Sequence, residues 1–437
     1  MTIDNLALPM TVPPMLAQHA QDAAFYWMLR DTSETSPHLT LEKLTHIETM
    51  LTAHLDGLLI AGSAGMSPAE AALARWRSAG EMFVCFYLAA SGHQHSSAEK
   101  LLAQAAKRAD TLLRGLISAI ASLPTTLARQ WIPHCSASSV PALQVAALRA
   151  CALLGAPALD ALATPLASLI TSSNEHVRAA GCRALGVARD DAPALLQTAL
   201  TDEHLCVRAE ASIALARLGQ PQAMELWRCV SSQALIHDQA SGWHRKQAER
   251  RLLRWTRHLA CQVTHGHPQI MQLLARLPAR VSLCFVLHHA DPQYLGFVLH
   301  HLDDPDNRRY AAWVWQCMTG NDLTANGLTL AESPPAQSGS INQDQIDFDN
   351  GMLLPNAAAI RAFPARYPSQ GKLLQGQSLT TAFALSVLEN AAQAVRAIAA
   401  THLTYAYPAY PILLRGSVQQ QMQAIRALRL HGANLTA

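Results

Sequence analysis

The stretches "HVRAAGCRALG", 176–186, and "LCVRAEASIALARLG", 205–219, superimpose on their Val-Arg pairs, which puts Arg178 thirty residues before Arg208. Gly155, which closes "LQVAALRACALLG" at 143–155, is followed by Gly186 and Gly219 at intervals of 31 and 33 residues. An interval near thirty holds two antiparallel helices and their turns. A unit that small cannot bury its apolar face alone, so it must stack on its neighbours.

Each unit has a physical reading. "SSNE" and "TDE" supply residues that cap a helix start, with Asn174 and Asp202 as acceptors for free backbone N–H groups. The small residues after each Arg let neighbouring helices approach closely. Leu169, Ile170, Leu195, Leu196 and Leu200 belong to the preceding helices and face the Ala-rich ones across a shared core. Composition agrees: half the residues are apolar and only 5% are aromatic, which favours helices packed through small side chains. The expected fold is all-α, a HEAT-like helical-repeat solenoid with an atypical helical N-terminal head and a C-terminal cap.

Helical spacing in the head predicts helices from Met15 to about Leu29, from Leu39 through Leu58, from Ala69 to about Ala90, and from Ser97 to about Ser122. The pattern divides the chain into a head over 1–135, a repeat array over 136–325, a long irregular loop over 326–370 and a helical cap over 371–437. In the array, Leu295, Val298, Leu299 and Leu302 make one helix and Arg309 opens the next. In the cap, helices are expected from Leu379 to His402 and from Val418 to about Leu430.

Motifs that carry chemistry are nearly absent from the sequence. No phosphate-binding glycine loop follows a strand pattern, and no nucleophile elbow is present. His93 with His95, His265 with His267, His288 with His289 and His300 with His301 are the visible histidine clusters. Two imidazoles two residues apart do not share a helix face, and zinc needs three or four converging ligands, so these read as turn and helix-end residues. Asp190 with Asp191, Asp303 with Asp304 and Asp347 with Asp349 read as turn or loop carboxylates. No catalytic residue, metal or cofactor is expected. The nine cysteines never form a CxxC pair and read as reduced and buried.

Two surfaces stand out as interaction candidates. Arg245–Arg257 holds six basic residues, among them Arg250, Arg254 and Arg257, with Trp243 and Trp255 able in principle to stack on bases. The chain, however, carries a net charge of only +2 and 15% charged residues, so it supplies no broad positive field and nucleic acid is not the expected partner. Large neutral faces point to a protein partner or a second copy of the chain. Arg178, Arg208 and Arg309 read as ties that cross from one unit to the next unit's Asp or carbonyl, a use that suits the planar guanidinium. The N-terminal text has no basic region followed by an apolar run, and no eighteen apolar residues run together, so a cytoplasmic chain without a membrane span is expected.

The segment "HAQDAAFYWMLRDTSETSPHLTLEKLTHIETMLTAHLDGLLIAG", 19–62, resembles the N-terminal signature of a conserved bacterial family of HEAT-repeat proteins whose molecular function is unassigned and many of which accompany type VI secretion loci. The likeness lies in His19, the patch from Phe25 to Arg30, Pro37 and above all "AHLDGL" at 53–58, which contains His54 and Asp56. "AAWVWQCMTGNDL", 311–323, and "GKLLQGQSLTTAFALSVLENAAQAVRAIAATHL", 371–403, are similar to later blocks of that family. Where the family has a Trp-rich segment, this chain reads "GMLLPNAAAIRAFPARYPSQG". The resemblance implies a HEAT-type fold and association with a secretion apparatus, as an adaptor, accessory or immunity-like component. It brings no catalytic residues. The "AHLDGL" segment could equally serve as a dimerisation surface, and the alternative function is that of a helical-repeat nucleic-acid protein or base-lesion hydrolase.

Overall fold

The computed structural model describes residues 11–188, 192–331, 349 and 351–435. Asp190, Asp191 and Asp347, and most of the stretch from 332 to 350, lie outside them. Among the described residues the chain is an all-α helical-repeat solenoid apart from one two-stranded hairpin. It divides into two compact units. One comprises residues up to Gln220 with Asn390–Ala397 and Tyr407 onward, and the other Pro221–Glu389 with Ile398–Ala406.

The first unit begins with α1 (Pro13–Thr32), α2 (Leu41–Ile60), α3 (Ser63–Trp76), α4 (Ala79–Ser91), α5 (His95–Lys107) and α6 (Ala109–Ser122). It continues through α7 (Thr125–Ser136), α8 (Pro141–Leu154), α9 (Leu166–Ile170), α10 (Glu175–Leu185), α11 (Ala192–Ala199) and α12 (Leu205–Arg217). The helices α4, α6, α8, α10 and α12 stack in that order, and α5, α7, α9 and α11 pack beside them as second members of the pairs. Trp27 lies on Phe83 with ring centroids 5.6 Å apart, and Phe86 meets the edge of Trp131 at 5.3 Å. Gly115 of α6 is where two backbones touch: a Cβ there would overlap the carbonyl oxygen of Ala79.

Two helices expected to be continuous are broken. Arg77 adopts the left-handed conformation at φ 52°, and Ser78 starts α4 by accepting from the Gly80 amide at 3.3 Å while its hydroxyl donates to Glu81. "SAGE" at 78–81 is a capping box, so this break had a local signal. The break at Arg108 between α5 and α6 has no such signal. It lets α6 turn back to pack on α4. Conversely, α3 runs through Gly65 and Pro68 from Ser63, because Gly65 fits against the Leu58 carbonyl where a larger residue could not.

The second unit contains α13 (Ala223–Gln239), α14 (Gly242–Gln262), α15 (Ile270–Leu274), α16 (Ala279–His289), α17 (Leu295–His300), α18 (Arg308–Thr319) and α19 (Ala357–Ala362). Here α14, α16 and α18 form the stack. Among its described residues, the segment from 326 to 370, expected to be irregular, includes one short helix, which Asn356 caps by accepting from the Ala359 amide at 3.1 Å. Strands β1 (Leu373–Leu374) and β2 (Gln377–Ser378) pair antiparallel around Gln375 and Gly376, both at positive φ, the signature of a two-residue type I′ turn. The turn amides of Gln375 and Gly376 donate to Cys317 and Met318 at 2.7 and 2.8 Å. They thereby satisfy carbonyls that the end of α18 leaves free.

The cap helix expected over 379–402 is two helices, α20 (Thr381–Asn390) and α21 (Gln393–Ala406). The first two amides of α21 are orphan donors of a helix start. They are taken up by carbonyls of the head, Gln393 donating to Leu39 at 2.7 Å and Ala394 to Ser36 at 3.0 Å. The last helix, α22 (Val418–Leu435), packs on α2.

Candidate functional site

The repeated arginines occupy equivalent places. Arg178 Nη1 donates to the carbonyls of Ser172 and Ser173 at 2.9 and 3.2 Å, and Arg208 Nη1 donates to those of Asp202 and Glu203 at 2.7 and 3.2 Å. Each clamps the turn that precedes its own helix. Arg178 also forks onto the next unit, with Nε and Nη2 on the two oxygens of Asp202 at 2.7 and 3.0 Å. Asp202 in turn accepts from the His204 amide at 2.8 Å, and Asn174 accepts from the His176 and Val177 amides at 3.0 and 3.3 Å. Burial raises the Asp202 carboxyl, but the Arg178 hydrogen bond, the His204 amide and nearby positive charge outweigh it and hold it below the usual carboxylate range.

A second fork joins α10 to α12: Arg183 Nε and Nη2 reach Glu210 at 3.1 and 2.7 Å, and Glu210 is buried. Reading the sequence missed this pair, because its members carry no shared motif and meet only when α10 stacks on α12. Arg309, the third expected tie, donates to the Met352 carbonyl at 2.6 Å. It therefore holds the chain well beyond the polar segment, forty-three residues on.

The two proposed surfaces are unlike each other. In the head, Asp56 is exposed, whereas His54 is half-buried, 2.8 Å from the His19 ring nitrogen and stacked on Tyr26. On α14, Trp243 and Arg250 are exposed, and Arg254 and Arg257 are partly buried. Trp255 is 2% exposed. It faces the core of the second unit, so the two-tryptophan stacking platform considered for nucleic acid does not exist. Arg254 lies 3.3 Å from His258, whose other ring nitrogen meets the Tyr405 hydroxyl at 2.7 Å.

Histidines of the second unit gather at the ends of α14 and α16. His289 Nδ1 donates to the Ala260 carbonyl at 3.0 Å and His265 Nε2 to the His289 carbonyl at 3.1 Å. Asp291 lies 3.7 Å from His265 Nδ1 and 3.9 Å from His289 Nε2. Ala290 brings it there by turning left-handed, at φ 60°. Beside this group, Lys372 donates to His402 Nδ1 at 2.8 Å and His402 Nε2 donates to the His288 carbonyl at 2.9 Å. Burial, the Lys372 charge and the other histidines push His402 down to about 3, so its ring is neutral.

Cys261 lies 3.7 Å from His402, the kind of cysteine–histidine approach that nucleophilic catalysis uses. Burial pushes the thiol up to about 12, so it carries no thiolate near neutral pH. Cys261 is accordingly expected to alkylate far more slowly in the folded chain than in denaturant at pH 8, as peptide mapping after iodoacetamide treatment would measure.

The family model described as HEAT repeats matches residues 163–228. No curated protein and no solved structure matches the chain. Residues 163–228 have the HEAT-repeat signature. The HEAT segment takes in α9 to α12 and the first turn of α13, and both arginine forks lie inside it. HEAT repeats commonly mediate protein–protein interaction.

Outside the HEAT segment, the first unit holds a cleft of about 540 Å³ lined by α1, α2 and the start of α22. Its charges are engaged with one another. Arg30 binds Glu48 at 2.8 Å, the Val418 amide donates to the same carboxylate at 3.0 Å, and Asp31 pairs with both Arg114 and Arg415. The cleft thus works as a polar seam between head and C-terminal helix. Among the described residues, no helix is long and apolar enough to cross a membrane.

Proposed function

We propose that this chain is a non-enzymatic, cytoplasmic protein-binding scaffold that serves a bacterial type VI secretion apparatus as an adaptor or accessory component. The observation that carries the reading is the HEAT segment, whose helices are fixed in register by two arginine–carboxylate forks. Such ordered helical pairs present a preformed surface, which lowers the entropy lost when a partner docks. The secretion context rests on the resemblance of 19–62, 311–323 and 371–403.

The second unit supplies apolar surface of the kind a protein partner covers. Met224, Leu235 and Ile236 of α13 and Trp243 of α14 are 52, 64, 48 and 51% exposed. Met224 and Leu235 are eleven residues apart and so share a face of their helix. A polyanion would gain nothing from the three aliphatic side chains Met224, Leu235 and Ile236. The head offers a second surface at His54 and Asp56, suited to a further copy of the chain.

Affinity capture of the full chain from its native cells, followed by mass spectrometry, is expected to recover a type VI secretion component. The double variant Leu235→Asp with Trp243→Asp is expected to lower that recovery by about tenfold or more, since apolar anchors dominate such contacts, with an unchanged melting temperature. Capture that nuclease treatment abolishes would overturn the reading.

A further inference from the structure

We propose that His265, His289 and Asp291 form a binding site for a divalent transition metal, with zinc the fitting ion and water in the fourth position. Ligand atoms of the three residues lie within 4.8 Å of one another. Nothing in the scaffold reading requires them to meet.

Four observations favour a ligand set over a casual polar cluster. First, both imidazoles have a fixed tautomer. His265 gives its Nε2 proton to the His289 carbonyl and His289 its Nδ1 proton to the Ala260 carbonyl. The lone pairs of His265 Nδ1 and His289 Nε2 are thereby left toward Asp291. Holding a ligand ring through a carbonyl on its far nitrogen is how metal-binding histidines are ordinarily oriented.

Second, His289 is fully buried and its Nε2 has no hydrogen-bond partner among the described residues. A buried ring nitrogen left without a partner is costly, and a metal ion would satisfy it. Third, the carboxylate is oriented as well: Asp291 accepts from the Gln293 amide at 3.1 Å and from Gln293 Nε2 at 2.7 Å. Fourth, the separations of 3.7 and 3.9 Å to Asp291 are only slightly wider than the roughly 3.4 Å between ligands around tetrahedral zinc. A bound ion would draw the two Asp291 separations in by a few tenths of an ångström, and the two imidazole nitrogens close up within the 4.8 Å that spans the whole set.

The donor set decides the class of ion. Two imidazoles and one carboxylate suit zinc and its first-row neighbours, whereas magnesium and calcium prefer all-oxygen shells. His265 is the partly exposed member, so the open side of the site is on the solvent side and water completes the shell. His267, two residues from His265, instead has its ring against Trp227.

The test uses the full chain, dialysed against a chelator and then titrated with zinc chloride in a calorimeter. One ion per chain is expected, along with a higher melting temperature, because an ion that binds only the folded state stabilises it. Because His265 is partly exposed, His265→Ala should fold normally, and it is expected to weaken binding by roughly 100-fold. Asp291→Asn is expected to do the same. Cobalt in place of zinc should give visible absorption without a strong thiolate band. Absence of one-to-one binding, affinity retained in His265→Ala, or a thiolate band would each overturn the proposal, the last by showing that one of the nine cysteines holds the ion.

Discussion

Arg178→Ala lowers the stability of the first unit by about 2–3 kcal/mol at pH 7, because it removes a partly buried bidentate pair and also frees two turn carbonyls. The side chains of Arg178 and Asp202 are 12 and 13% exposed, so this pair is worth more than a surface ion pair of the usual fraction of a kilocalorie. The partner-binding surface should be untouched. Thermal denaturation should show the loss while capture of the partner persists at the wild-type level. An unchanged melting temperature with lost capture would move Arg178 from the scaffold to the binding face.

The pH dependence of that loss has a definite sign. Asp202 titrates below its unfolded value, so the unfolded chain takes up the proton first as pH falls. The contribution of the pair is therefore complete above the unfolded carboxyl value of about 3.9 and fades as pH drops through the lower folded value. Melting curves of wild type and Arg178→Ala should draw closer in acid, where only the carbonyl bonds of Arg178 still separate them, and stay apart from pH 5 to 7 by about the same margin.

Gly115→Ala is expected to be among the most damaging single-methyl changes in the chain, at about 2–4 kcal/mol. In a free helix this substitution would stabilise by up to about 1 kcal/mol, since alanine is the better helix former. Here the new Cβ would overlap the Ala79 carbonyl oxygen and lie 3.0 Å from the Phe83 amide nitrogen. Both are backbone atoms of the facing segment and cannot rotate away. To make room, α6 and α4 must separate, which loosens a core that holds Phe83, Phe86 and Leu116.

Gly296→Ala in α17 is the matched control. Among the described residues, no atom beyond its chain neighbours and its own helix lies within 4 Å of the added Cβ, and the residue does not need a positive φ. Its melting temperature should equal or slightly exceed that of wild type. Equal losses at the two glycines would mean that helix packing at Gly115 is not the cause.

Much of the fold is legible in the text because it depends on neighbours in sequence. The thirty-residue offset of Arg178 and Arg208 reflects a turn clamped by its own arginine five or six residues on. Asn174 caps its helix through the amides two and three residues ahead. Even the missed break at Ser78 had its capping box in plain view.

What the text could not reveal depends on which helix faces lie against each other. Trp255 and Trp243 both look available on a basic helix, yet α14 packs Trp255 into the core and leaves Trp243 outside. Arg183 and Glu210 become partners only through the register of α10 on α12. His265 and His289 are twenty-four residues apart, and pairing each with its nearest histidine in sequence gave no ligand geometry. The stacking of α14 on α16 and the left-handed turn at Ala290 bring them together with Asp291. Local hydrogen bonds and apolar periodicity thus determined the repeat from the sequence alone. Side-chain convergence over long separations was decided by packing, because burying the small-residue faces sets a register that no single segment encodes.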